Sequence, residues 1–218
     1  MKFLSLAAGG LLLLGLSQYA LAEDALAEDA GGKTAGSVMV RVRAIGVLPD
    51  TTSSISPIGG QVDASNTVDP EVDGTYFFTD NIAAELIAAT TRHRITAHGT
   101  AAGDIDVGQV RLLPPTLTLQ YHFMPHETIS PYAGAGVNYT WFFDPTPSHV
   151  VVQHVSYENN FGAALQAGID YNIAGRWYAN LDVKHLFLST TARINGGAVR
   201  AAVNLDPTIV GAGIGYRF

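Results

Sequence analysis

From about residue 38 onward the chain alternates apolar positions with polar or small ones at a period of two. Over residues 161–171 one set reads Phe161, Ala163, Leu165, Ala167, Ile169 and Tyr171, and the other Gly162, Ala164, Gln166, Gly168 and Asp170. Over 177–184, Trp177, Ala179, Leu181 and Val183 oppose Tyr178, Asn180, Asp182 and Lys184. The last ten residues set Val210, Ala212, Ile214, Tyr216 and Phe218 against Ile209, Gly211, Gly213, Gly215 and Arg217. A period of two marks a β-strand with two unlike faces, and about ten residues are what a tilted strand needs to cross hydrocarbon. The pattern predicts an all-β chain of eight strands, near residues 38–48, 72–78, 82–96, 106–123, 131–143, 156–171, 177–194 and 202–218.

The connections rotate between short and long. Residues 79–81, 124–130 and 172–176 are short, while 49–71, 97–105 and 144–155 are longer and carry Gly, Pro, Asp, Ser and Asn. Asn195-Gly196-Gly197 is a tight hairpin signal on the long-loop side. Transmembrane barrels join their strands by short periplasmic turns and longer extracellular loops. Eight antiparallel strands in this rotation predict a closed barrel with both chain ends in the periplasm.

The aromatic residues indicate which face meets what. Tyr121, Phe123, Tyr171, Trp177, Tyr216 and Phe218 cluster beside the short turns, and Tyr139, Trp141 and Phe143 lie at the other end of their strand. Amphipathic rings prefer the headgroup level, so two girdles facing lipid explain the arrangement. A soluble lipocalin-like barrel would carry its polar face outside and leave these rings in water.

The N-terminus adds the compartment. Met1-Lys2 is followed by an apolar stretch from Leu4 to Leu16 and by Ala20-Leu21-Ala22, the small-x-small pattern of a signal peptidase site. The apolar stretch is too short to span as a helix. Residues 1–22 are therefore expected to be a signal peptide, 23–37 a short periplasmic segment and 38–218 the barrel. Ala20–Asp24 repeats as Ala25–Asp29, so cleavage after Ala27 is the alternative. The chain has no cysteine, which leaves closure to backbone hydrogen bonds. A net charge of −7 argues against a nucleic-acid partner.

Certain motifs go beyond pattern. Thr75-Tyr76-Phe77-Phe78-Thr79-Asp80-Asn81, Leu113-Pro114-Pro115-Thr116-Leu117, Gln120-Tyr121-His122-Phe123, the run from Ser130 to Thr140 and the closing Gly211–Phe218 resemble the OmpW family of outer-membrane proteins. Val40–Ile45, with Pro49 shortly after, and Asp182-Val183-Lys184 fit it too. The resemblance runs over nearly the whole chain after the signal. It implies a narrow, partly hydrophobic lumen, uptake of small apolar molecules across the outer membrane, and a terminal Phe218 read by the barrel assembly machinery.

Alternation supplies the candidate residues. Arg41, Arg43, Glu85, Asp170, Asp182, Lys184 and Arg217 fall on the lumen side, either as a polar plug or as the ordinary filling of a small barrel. Ile45, Ile87, Leu112, Leu186 and Leu188 also fall inward, toward the long-loop half, and are candidates for a hydrophobic path. Pro114 and Pro115 lie within a strand, where proline donates no ladder bond; they are a candidate lateral seam between the third and fourth strands, or a harmless kink. Arg92-His93-Arg94 is a candidate for lipopolysaccharide phosphates or a solvated strand extension.

Other signals are set aside. The glycines at 211, 213 and 215 precede no helix and leave lumen space instead. His122 and His126 are about 13 Å apart along a strand and cannot chelate as a pair. Asn138-Tyr139-Thr140, a glycosylation pattern, sits inside a predicted membrane strand. A lipid hydrolase built from His149, His154 or His185 with Ser148, Ser156 or Ser189 has no supporting spacing. The expected function is passive conduction of small hydrophobic molecules with no metal, cofactor or catalytic step. The alternative is a structural or receptor barrel.

Overall fold

A computed structural model describes residues 32–218; the signal segment 1–22 and the repeat 20–29 lie outside the described residues. The chain opens with β1 (Val38–Leu48), β2 (Thr52–Ser56), β3 (Gln61–Ala64), β4 (Thr67–Phe77) and β5 (Ile82–Ala89). It continues with β6 (Thr91–Thr100), β7 (Gly103–Leu113), β8 (Thr116–His122), β9 (Ile129–Pro147) and β10 (Val155–Tyr157). The remainder is β11 (Asn160–Ala174), β12 (Trp177–Phe187), β13 (Ser189–Ile194), β14 (Val199–Asn204) and β15 (Thr208–Arg217).

Eight of these close a ring in the order β1-β4-β5-β8-β9-β11-β12-β15 and back to β1, every pair antiparallel. Closure gives every strand two neighbours, so no sheet edge is left to face lipid. In β1 the outward Val38, Val40, Val42 and Leu48 alternate with the inward Met39, Arg41, Arg43, Ile45 and Val47. Leu119 is 59% exposed and Leu181 62%, while Arg41 is fully buried. Apolar outside and charged inside is the reverse of a soluble barrel and the profile of one solvated by lipid. Trp177, Tyr216 and Phe218 meet edge to face at 4.9 Å spacings at the short-turn end, and Tyr139 meets Phe161 at 4.7 Å at the other.

At the long-loop end the strands continue as two sheets. β6 and β7 extend β5 and β8, with β3 on one side and the end of the 19-residue β9 on the other. β13 and β14 extend β12 and β15, flanked by β10 and β2. The stretch 49–71 therefore differs from the long open loop expected of it. It supplies β2 to one sheet, β3 to the other, and the first residues of β4. The sequence around Ile55 is too short and too rich in Ser and Thr to show periodicity, and these two short strands form only because the projecting edges of β14 and β6 need partners.

Packing inside the ring is close enough to require glycine. Gly168 pairs with Tyr132, and a Cβ at 168 would collide with the Tyr132 ring. Gly168→Ala is expected to lower the unfolding free energy by about 1–3 kcal/mol. The reading is the urea midpoint of the detergent-solubilised barrel; an unchanged midpoint would mean that Tyr132 and the Leu181 carbonyl, which the Cβ would also meet, both give way at no cost.

Candidate functional site: a charged floor beneath an apolar cavity

The lower half of the lumen is filled by ion pairs. β1 contributes Arg41 and Arg43, which are two residues apart and so point the same way. Their partners come from strands around the ring, Glu71 and Asp73 from β4, Glu85 from β5, Asp170 from β11 and Asp182 from β12, which also supplies a third cation, Lys184. Arg41 reaches Asp73 at 3.0 Å and holds Asp170 through Nε at 3.2 Å and Nη2 at 2.8 Å. Arg43 reaches Glu71 at 2.8 Å, Asp73 at 2.6 Å and Glu85 at 2.7 Å. Lys184 joins Glu71 at 3.1 Å and Asp182 at 2.8 Å.

Neutral groups complete the shell. Gln166 Nε2 donates to Glu85 at 2.6 Å and to Asp182 at 2.7 Å, Gln120 donates to Glu85 at 2.8 Å, and the Tyr132 hydroxyl donates to Asp182 at 2.7 Å. Charges removed from water in this way are tolerable only when paired and hydrogen-bonded. Arg217 is buried too, but one layer nearer the short turns, beside Met39 in the register of β1 and β15.

Lys33, from the segment that precedes β1, is part of the floor. Its side chain is fully buried, with Nζ 2.8 Å from Asp170 Oδ2, 2.8 Å from Ser130 Oγ and 2.9 Å from His122 Nδ1. Backbone bonds tie the segment across the short-turn mouth, from Lys33 N to Pro125 O and from Gly36 N to Phe77 O. The Asp80 carboxylate accepts the Ala35 N–H at 2.8 Å and faces His126 at 3.0 Å. The Ala35 bond, with His126 beside it, holds the Asp80 carboxyl below its ordinary pKa.

Above the floor the lining changes abruptly. A cavity of about 230 Å³ starts at Glu71 and Lys184 and extends to Val151 and Asn195 in the long-loop region. Ile45, Ile87, Leu112, Leu186 and Leu188, all buried, line it, joined by Phe142 of β9 and Leu205 after β14. The few polar groups on its wall include Thr91, His93 and Thr116. His93 is turned inward, with Nδ1 2.7 Å from Ser65 O, while its neighbours Arg92 and Arg94 face outward.

Pro114 also lines the cavity, at a break in the wall. Ladder pairing between the third and fourth staves runs up to Ile87↔Thr116 and resumes at Thr91↔Leu112. Among the described residues, 88–90 and 113–115 form no ladder pairs with each other. The two prolines account for it, since neither has an N–H to offer Ala88 or Ala89. Phe218 closes the outward girdle and donates its N–H to Val38 O at 2.7 Å.

Among the floor groups that sequence reasoning missed are Lys33, Glu71, Asp73 and Tyr132. Asp73 was recoverable, because it alternates with Val72 inside a predicted strand. Glu71 was lost with the loop, and Tyr132 because its ring is as compatible with lipid as with a lumen. Of the histidine–serine sets, His185 lies 3.2 Å from Thr208 Oγ1 and no hydrogen bond joins His149, His154 or His185 to Ser148, Ser156 or Ser189 among the described residues.

Known proteins share this architecture. The chain is 42% identical over 183 residues to y4mB, an outer-membrane protein of Sinorhizobium fredii, covering 82% of this chain and 79% of that one. It is 29% identical over 164 residues to the dibenzothiophene metabolism operon protein PahQ of Pseudomonas aeruginosa, covering 73% and 76%. The crystal structure of the outer membrane protein OprG from Pseudomonas aeruginosa superposes with a TM-score of 0.82 at 29% identity, covering 87% of this chain and 99% of that one. A profile of the OmpW family matches residues 34–218, the whole ring together with the residues that lead into β1. An outer-membrane barrel of eight strands, matched from floor to loops, this chain belongs to the OmpW family.

Proposed function

We propose that the protein passively conducts small hydrophobic molecules across the outer membrane and releases them sideways into the lipid. The observation that carries this reading is the pairing of an apolar cavity with a sealed floor. A solute leaving water for the cavity gains about 0.8 kcal/mol per buried CH₂. A cavity of about 230 Å³ exceeds the roughly 150 Å³ that is known to hold benzene, so it suits solutes of one or two small rings or a short chain. Onward passage along the barrel axis would take that solute through Glu71, Lys184 and the arginines below. The wall at Pro114 and Pro115 is the cheaper way out, because no ladder bonds must be broken there and hydrocarbon lies on the other side. No energy source, metal or cofactor enters this route. PahQ, by its name, belongs to an operon for metabolism of an apolar aromatic compound, which supports an apolar class of cargo.

The same reading has the long-loop end outside the cell and both termini in the periplasm, after cleavage following Ala22 or Ala27. Phe218 then stands where the assembly machinery would read it, and outer-membrane lipid and lipopolysaccharide surround the barrel.

Uptake of a radiolabelled alkane or small arene by cells with and without the protein, at matched expression, tests the proposal. Protein-dependent uptake with little ion conductance in planar bilayers is the expected result. Equal uptake for every apolar solute tried would overturn it in favour of a structural or receptor barrel.

A further inference from the structure

The outer surface changes character at one height. Along the third stave the outward positions run Ile82, Ala84, Leu86, Ala88 and Thr90, then Arg92 and Arg94. Along the fourth they run Tyr121, Leu119, Leu117, Pro115 and Leu113, then Arg111 and Gln109. Ten residues of strand from Ile82 to Arg92 measure about 33 Å, which at a tilt of ~40° rises about 25 Å. That is the height of the lipid-facing band of an outer-membrane barrel, about 25 Å. Arg92 and Arg111 therefore emerge at the upper edge of the hydrocarbon. Register agrees, because Arg111 pairs with Phe143 of the upper girdle and Arg92 pairs with Arg111.

These guanidiniums are poorly compensated. Like charges directly opposite on a ladder repel. Arg94 Nη1 lies 3.4 Å from Asp106 and Arg111 Nε 3.7 Å from Asp144, while Arg92 has no ion-pair partner among the described residues. An outward groove of about 410 Å³ opens beside Arg92 and Arg94, with Gln109 and Ser148 on its wall and the carboxylates of Asp104 and Asp106 at its side. An anion bridging Arg92 and Arg111 would turn their repulsion into two charge-assisted contacts, and phosphate suits arginine's planar donors.

We propose that Arg92, Arg94 and Arg111 bind the phosphate groups of lipid A, the phosphorylated glycolipid anchor of lipopolysaccharide. In the cell this rests on the long-loop end facing outward. Lipid A is the occupant because the site lies at the lipid edge, where a phosphate carried on an acyl-chained sugar would be held, and beside a groove wide enough for the sugar.

The test uses the detergent-solubilised barrel titrated with lipid A, dephosphorylated lipid A and phosphatidylglycerol, with native mass spectrometry as the readout. In micelles the ligand reaches both ends, so the outcome does not depend on orientation or on transport. The double variant Arg92→Gln/Arg111→Gln is expected to bind lipid A about tenfold more weakly or worse. The control Arg193→Gln/Arg200→Gln removes another directly opposed arginine pair, six residues beyond Phe187 and so about 20 Å further along the strand, and is expected to bind as the parent does. Dephosphorylated lipid A should bind the parent no better than lipid A binds the Arg92/Arg111 variant. Undiminished binding by that variant overturns the proposal. So does equal binding of the dephosphorylated form, or full competition by phosphatidylglycerol, which would make the patch a general anionic-lipid surface.

Discussion

Arg43→Met is expected to cost about 3–5 kcal/mol of unfolding free energy, the usual penalty for leaving buried charge without its partner. Arg43 is the shared cation of Glu71, Asp73 and Glu85. Its removal leaves three carboxylates from two adjacent strands to Arg41 and Lys184, which already serve Asp170 and Asp182 as well. The measurement is the urea midpoint of the folded band on a cold gel, where barrels migrate apart from their unfolded chains. Arg43→Met combined with Glu85→Gln and Asp73→Asn should recover much of the loss, because neutral groups of similar shape remove the uncompensated charge. A single variant as stable as the parent would show that water enters the floor freely, and the seal on which the sideways route depends would go with it.

The second large effect concerns passage. Leu186→Asp and Leu112→Asp each place a carboxylate in the wall of the cavity above Glu71 and Lys184. Each removes apolar contact from a solute and recruits water in its place. With more than about 1.4 kcal/mol of transfer free energy lost, uptake of an apolar solute should fall about tenfold or more. Only variants that run as the folded band count. A folded Leu186→Asp or Leu112→Asp protein that admits solute at the parent rate would take the cavity out of the route.

The barrel was legible because its determinants are local. A two-residue period, turn residues and aromatic positions each read off a few neighbours, and β1 was predicted with the bounds it has, Val38–Leu48. Inward placement of Arg41, Arg43 and Asp170 follows from the same alternation. What escaped is what only three-dimensional closure creates. Lys33 sits in a stretch of Gly, Thr and Ser without periodicity, and its burial depends on Asp170, 137 residues later, reaching the same mouth. β2 and β3 are strands by virtue of the edges they meet, not of their own composition. The break at 88–90 was visible as two prolines, but the size of the cavity it adjoins could not be read from them.

The position of the two arginines on β1 has a consequence for the order of assembly. β1 is the first stave to be made, and it closes the ring by pairing with β15, the last. Arg41 finds Asp73 on its neighbour, but its bidentate partner Asp170 is 129 residues away. A chain with the β1–β15 seam still open keeps those charges apart and hydrated. Joining the seam and neutralising the lumen are therefore one event, and a late one, since it waits for the longest loop to close. Once joined, strand pairing and charge pairing hold each other in place, so the ring gives way as a unit instead of unzipping from its ends.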